Sequence, residues 1–133
     1  MFLSTTTVHA LRALSVLAAR GEAVQGRELA RALKMPPDYL AKVLGRLARA
    51  GIVKATRGAG GGYRLARPPE RIALGEVVRP LEGARARPGC LLRPGAVCRG
   101  RGACAAHPAW TGVKQAYEAF LDDTTVADVR HDR

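Results

Sequence analysis

The residues best equipped for chemistry fall together. The stretch CLLRPGAVCRGRGACAAH, residues 90–107, holds all three cysteines of the chain and closes on a histidine. Seven residues separate Cys90 from Cys98, five separate Cys98 from Cys104, and two separate Cys104 from His107. Thiolates with an imidazole are donors that iron–sulfur clusters accept. The same donor set suits tetrahedral zinc, although structural zinc sites favour a short Cys-to-Cys knuckle that is missing here. Arg93, Arg99 and Arg101 add positive charge that favours thiolate over thiol. In a reducing compartment a disulfide is disfavoured, whereas a redox-switching thiol pair and an empty loop stay open as alternatives. A Cys104–His107 nucleophile pair has no third orienting residue and no oxyanion-type motif beside it, which argues against an enzyme.

A second set of residues could bind a polyanion. Lys42, Arg46 and Arg49 recur along one face of a predicted helix over residues 37–50, while Leu40, Val43, Leu44 and Leu47 form its apolar stripe. A solvated basic face on an ordinary bundle helix would carry the same residues. The segments on either side argue for more. A helix is predicted over residues 26–34, with Leu29, Ala30 and Leu33 on one side, and it must stop before Pro36. Pro37 suits the first turn of the next helix. The pair reads as a helix-turn-helix. After it, IVKATRG and YRLAR flank a glycine-rich tip, a hairpin around Ala59, Gly60, Gly61 and Gly62 with Arg57 and Arg64 on either side. That order is a winged helix, whose third helix would enter the major groove of double-stranded DNA while the wing lays arginines along the backbone or minor groove. The stretch GAGGGY lacks the lysine and the spacing of a nucleotide-binding loop.

The remaining elements must position these two sets. Residues 4–19 read as a helix with Val8, Leu11, Leu14 and Ala18 at helical spacing, Ser4 as its cap and Gly21 past its end. A short helix is predicted over residues 74–81. Residues 83–106 read as loop. A further helix starts at Pro108, with Trp110, Val113, Tyr117, Phe120 and Leu121 as its stripe. Packing on its own domain is one use for that stripe. A seam between two copies is the favoured one, because helix-turn-helix proteins bind paired half-sites.

Length and charge agree. The 133 residues make one domain, and the net charge of +11 draws the chain to polyanions. Arginine-rich composition can also reflect a genome's base content, so charge alone does not decide. No apolar run spans a bilayer, and the amphipathic N-terminus is unlike a signal peptide, so a cytoplasmic protein with no membrane partner is expected. The aromatics are too few among the basic residues for RNA binding.

With these pieces assembled, the chain resembles the Rrf-type (IscR/NsrR-like) winged-helix regulators over residues 3–129. The carriers are GIVKATRGAGGGYRLAR (51–67), DYLAKVLGRLARAG (38–51), IALGEVVRPLEG (72–83), and the closing HPAW and TTVADV. The resemblance implies a mainly α fold with a small β-hairpin: a winged helix-turn-helix plus a long C-terminal dimerisation helix. It implies a homodimeric DNA-binding transcription factor, commonly a repressor. Its DNA contacts would fall near Asp38, Tyr39 and Lys42, and in the wing on Arg57 and the glycines after it, Gly58, Gly60 and Gly61. Several members hold an iron–sulfur cluster, 2Fe-2S or 4Fe-4S, through three cysteines of this loop, which implies Cys90, Cys98 and Cys104. In one branch the fourth ligand is a histidine placed as His107 is. In another it is an acidic residue of the first helix, where this chain has Val8, which cannot ligate. The gap between Cys90 and Cys98 is longer than in the better-known cluster-binding members. The expected division is residues 1–83 as the DNA-binding region, 84–107 as the sensor loop, 108–129 as dimerisation helix and closing segment, and 130–133 as tail.

Overall fold

A computed structural model of the chain describes residues 3–83, 89–93, 96 and 104–131. Cys98, Arg99 and Arg101 lie outside these residues. Helix α1, Thr5–Arg20, begins where the Ser4 side chain accepts the Thr7 N–H at 3.2 Å. It ends at Gly21, whose left-handed φ of 68° lets its N–H reach the Leu17 carbonyl. The buried face is Ala10, Ala13, Leu14, Leu17 and Ala18. Val8 is 36% exposed, so the stripe expected from Val8 and Leu11 is turned toward the alanines. Small side chains let α1 serve as the central helix, in contact with each of the three helices that follow it in the chain.

Helix α2, Gly26–Leu33, stops one residue before the expected Lys34, which takes a left-handed φ of 56° as its cap. Left-handed geometry is costly for a residue with a Cβ. The Lys34 N–H, directed at the Ala30 and Arg31 carbonyls, compensates. Pro36 and Pro37 then open helix α3, Pro37–Arg49, which buries Leu40, Val43, Leu44 and Leu47 as its spacing predicts. Strands β1, Val53–Thr56, and β2, Gly62–Leu65, pair antiparallel with Val53 opposite Leu65 and Lys54 opposite Arg64. Val24 adds a single-residue bridge to Tyr63 through bonds of 2.9 and 2.8 Å, a third edge to the hairpin that the sequence does not announce. Gly62 makes that approach possible, because a Cβ there would run into the Val24 carbonyl.

Helix α4, Leu74–Glu82, contributes Leu74, Val77 and Val78 to the core. Helix α5 starts at His107, one residue before Pro108, and runs to Asp123. The chain then returns to the body. Leu74 N–H donates to the Thr124 carbonyl at 2.8 Å, Val126 N–H to the Ile72 carbonyl at 2.9 Å, and Ser15 Oγ to the Val129 carbonyl at 2.8 Å. Among the described residues no helix is long and apolar enough to cross a membrane.

Candidate nucleic-acid interface and cysteine segment

Helix α3 divides along its length. Its apolar stripe fixes it to the core, and Asp38, Lys42, Arg46 and Arg49 are left exposed on the other side. Tyr39 is half-buried at the edge between the two faces. On the hairpin, Arg57, Gly58, Gly60 and Arg64 are exposed, whereas Gly61 is buried. A Cβ on Gly61 would strike the Thr56 carbonyl, so this glycine closes the tip and is not itself offered to solvent. Lys54 was not singled out by sequence, yet the register sets it directly across from Arg64. Like charges opposite one another repel, and an anion laid between them removes the penalty. Only the register, which sequence does not fix, pairs them.

Arg46 departs from the simple basic stripe. Its Nη2 donates to the Leu81 carbonyl at 3.2 Å, close to the C-terminal end of α4. Carbonyls of the last helical turn lack intrahelical partners, and a cation there also meets the negative end of the helix dipole. Arg46 thus joins α3 to the end of α4, just before residues 84–107 begin. A second tie lies beside it: Ser4 N–H donates to Glu82 Oε1 at 2.7 Å, and Glu82 is buried. Arg79 of α4 holds α5 through Asp122 at 2.7 Å and then Glu118 at 3.0 Å, which raises the arginine pKa above its usual value. Burial, reinforced by the Glu82 and Glu118 charges, pushes the Tyr117 phenol up.

Of the cysteine set, Cys90 is half-buried, Cys104 exposed and His107 half-buried. The Cys90 N–H donates to the Ala96 carbonyl at 2.8 Å. The adjacent Gly89 carbonyl accepts Trp110 Nε1–H of α5 at 2.7 Å. His107 N–H donates to the Cys104 carbonyl at 3.0 Å, so thiol and imidazole leave one turn at the head of α5. Among the described residues no group of three His, Cys, Asp or Glu side chains is gathered to hold a metal ion, and Cys98 is not among those residues. The donor chemistry of thiols plus imidazole nonetheless fits an iron–sulfur or zinc centre.

A two-helix unit with an exposed basic helix, followed by a hairpin with exposed arginines, defines a winged-helix DNA-binding regulator. More narrowly, the chain belongs to the Rrf2 family, described as iron-dependent transcriptional regulators, which matches residues 3–132. It is 36% identical over 122 residues to the transcriptional repressor NsrR of Streptomyces coelicolor, covering 92% of this chain and 81% of the relative. A putative HTH-type transcriptional regulator of Aquifex aeolicus is 32% identical over 131 residues, 97% of this chain and 91% of that protein. Among solved structures, CymR, the global cysteine regulator of Bacillus subtilis, superposes with a TM-score of 0.79 at 28% identity. That match covers 96% of this chain and 94% of the CymR chain. These relatives are transcriptional regulators, and the chain is a regulator and not an enzyme.

Proposed function

We propose that the chain is a cytoplasmic, homodimeric winged-helix repressor that reads iron, redox state or nitric oxide through an iron–sulfur cluster. Residues 1–83 bind a pseudo-palindromic operator, residues 84–107 form the sensor, and α5 forms the seam between copies. In this reading α3 enters the major groove with Asp38, Tyr39 and Lys42 toward the bases and Arg49 toward the backbone. Arg57, Gly58 and Gly60 at the wing tip, with Arg64 and Lys54 behind it, follow the phosphates. The observation that carries the reading is the exposure of Lys42 and Arg49 on a helix whose opposite face is wholly buried, beside a hairpin whose arginines are also exposed.

Cys90, Cys98, Cys104 and His107 would hold the cluster. When bound, such a cluster supplies a centre whose integrity changes with iron, oxidant or nitric oxide. The protein's own part is transmission. Trp110 fastens the Cys90 end to α5, and Arg46 and Ser4 fasten the end of α4 to α3 and α1. Loading would shift the population between DNA-competent and incompetent arrangements only if the two bind the cluster differently.

The deciding experiment is anaerobic purification with an absorption spectrum and iron, sulfide and zinc analysis. The expected result is a coloured protein with iron and acid-labile sulfide, and loss of both in Cys104→Ala without loss of fold. A colourless protein with stoichiometric zinc, even after reconstitution, overturns the cluster. Colour retained in full by Cys104→Ala overturns this ligand set.

A further inference from the structure

Helix α3 makes a further polar contact, with α1. His9 of α1 places Nδ1 2.8 Å from the Tyr39 hydroxyl. The two rings meet edge to face, with centroids 5.4 Å apart and planes at 87°. Tyr39 packs its ring against the core and is half-buried, while its neighbours Asp38 and Lys42 are exposed, which places the residue at the edge of the surface proposed to face DNA. A tyrosine side chain is set by two torsions. Packing fixes the ring, and the bond to His9 fixes the hydroxyl. A hydroxyl also has a single proton, so the sense of this bond decides whether Tyr39 offers DNA a donor or an acceptor. Phosphate oxygens and guanine O6 and N7 need a donor, whereas the amino groups of adenine and cytosine need an acceptor. In a site that water can reach, such a bond adds little net stability, because solvent replaces it when it is lost. Its consequence is geometric.

We propose that His9 is a positioning residue for DNA recognition: it holds the Tyr39 hydroxyl in the place and the hydrogen-bonding sense in which it meets the operator. The proposal rests on Tyr39 belonging to the DNA interface, and the test separates the two.

Anisotropy titrations of the full chain would use two duplexes. One is enriched by the wild-type protein from a random-sequence pool, and the other is a mixed-sequence duplex of equal length. His9→Ala and Tyr39→Phe should each weaken binding to the enriched duplex roughly three- to tenfold, the range of one net hydrogen bond. The double variant should lose no more than the larger single loss. His9→Asn, whose amide reaches the Nδ1 position, should recover most of it. Binding to the mixed duplex and the melting temperature should stay unchanged. Additive losses overturn the proposal, as does a loss that asparagine does not restore or one that follows a fall in melting temperature. If Tyr39→Phe weakens binding and His9→Ala is silent, His9 is excluded and Tyr39 keeps its place. If both are silent while Lys42→Ala and Arg57→Ala weaken binding, Tyr39 leaves the interface and the proposal falls with it.

Discussion

Arg46 shows how one side chain changes meaning between sequence and structure. By spacing it belongs with Lys42 and Arg49, but its guanidinium is engaged by the Leu81 carbonyl. Arg46→Ala should therefore leave the salt dependence of DNA binding intact while lowering stability by about 0.3–1 kcal/mol, the worth of a cation at the exposed C-terminal end of a helix. Arg57→Ala should do the opposite, flattening the slope of log affinity against log salt by about 0.9 for one phosphate contact. A flattened slope in Arg46→Ala would return it to the DNA surface. A second residue-level test concerns Glu76, whose pKa is held below the usual carboxylate value by the Arg67 guanidinium at 2.8 Å and then by the Ala73 N–H. A depressed folded pKa means stability that is present above the unfolded carboxylate value and lost as pH falls through the folded one. Both side chains of the pair are about 40% exposed, so solvent screening keeps the contribution under about 1 kcal/mol. Glu76→Gln should be less stable than wild type at neutral pH, and the gap should close on acidification. A gap that widens toward low pH would overturn the assignment.

At the scale of elements, two glycines predict opposite outcomes. Gly62→Ala drives a Cβ into the Val24 carbonyl at a φ of 135°, which should break the bridge to Tyr63 and destabilise the wing by more than about 1 kcal/mol. Gly45 lies in the middle of α3 with nothing within 4 Å of an added Cβ, so Gly45→Ala should stabilise by about 0.5–1 kcal/mol. Denaturant melts of both variants decide, and equal signs would refute the account. The same contrast explains what could be read in advance. Helices α1 to α4 were legible because their signals are local: Ser4 and Gly21 as caps, Pro37 at a first turn, and a stripe from Leu40 to Leu47. The hairpin was legible from its glycines. The Val24 edge was not, because a single bridging residue has no periodicity. Nor was the true face of α1, where alanines outrank Val8 because packing on several helices selects small side chains. Within the site, the exposure of Lys42, Arg46, Arg49, Arg57 and Arg64 follows from their charge and position. The ties from Arg46 to a carbonyl and from His9 to Tyr39 join residues far apart in the chain and leave no mark in it.

At the scale of the whole molecule, α5 is the element that one copy of the chain does not account for. Of its apolar stripe only Leu121 is fully buried, while Val113 is 45% and Phe120 51% exposed. Its attachment to the body is largely polar along one side, through the Arg79 ion pairs. A helix this apolar on its outer side is stable in water when a second apolar face covers it. In the proposed dimer a twofold partner would supply that face at no cost in new sequence, and would set the two recognition helices against half-sites about 34 Å apart. The basic charge of each copy would oppose this pairing by itself, so the seam must hold through burial, and it should be sensitive to a charge placed within it. Val113→Glu and Phe120→Glu should each give monomers in sedimentation or light scattering. Melting temperatures of the monomers should fall only by the amount that pairing contributes, since neither side chain is in the core. Affinity for a two-half-site duplex should drop toward that for a single half-site, as the two contacts cease to be linked. Dimers that persist with either glutamate would put the interface on another surface, and with it the spacing of the half-sites.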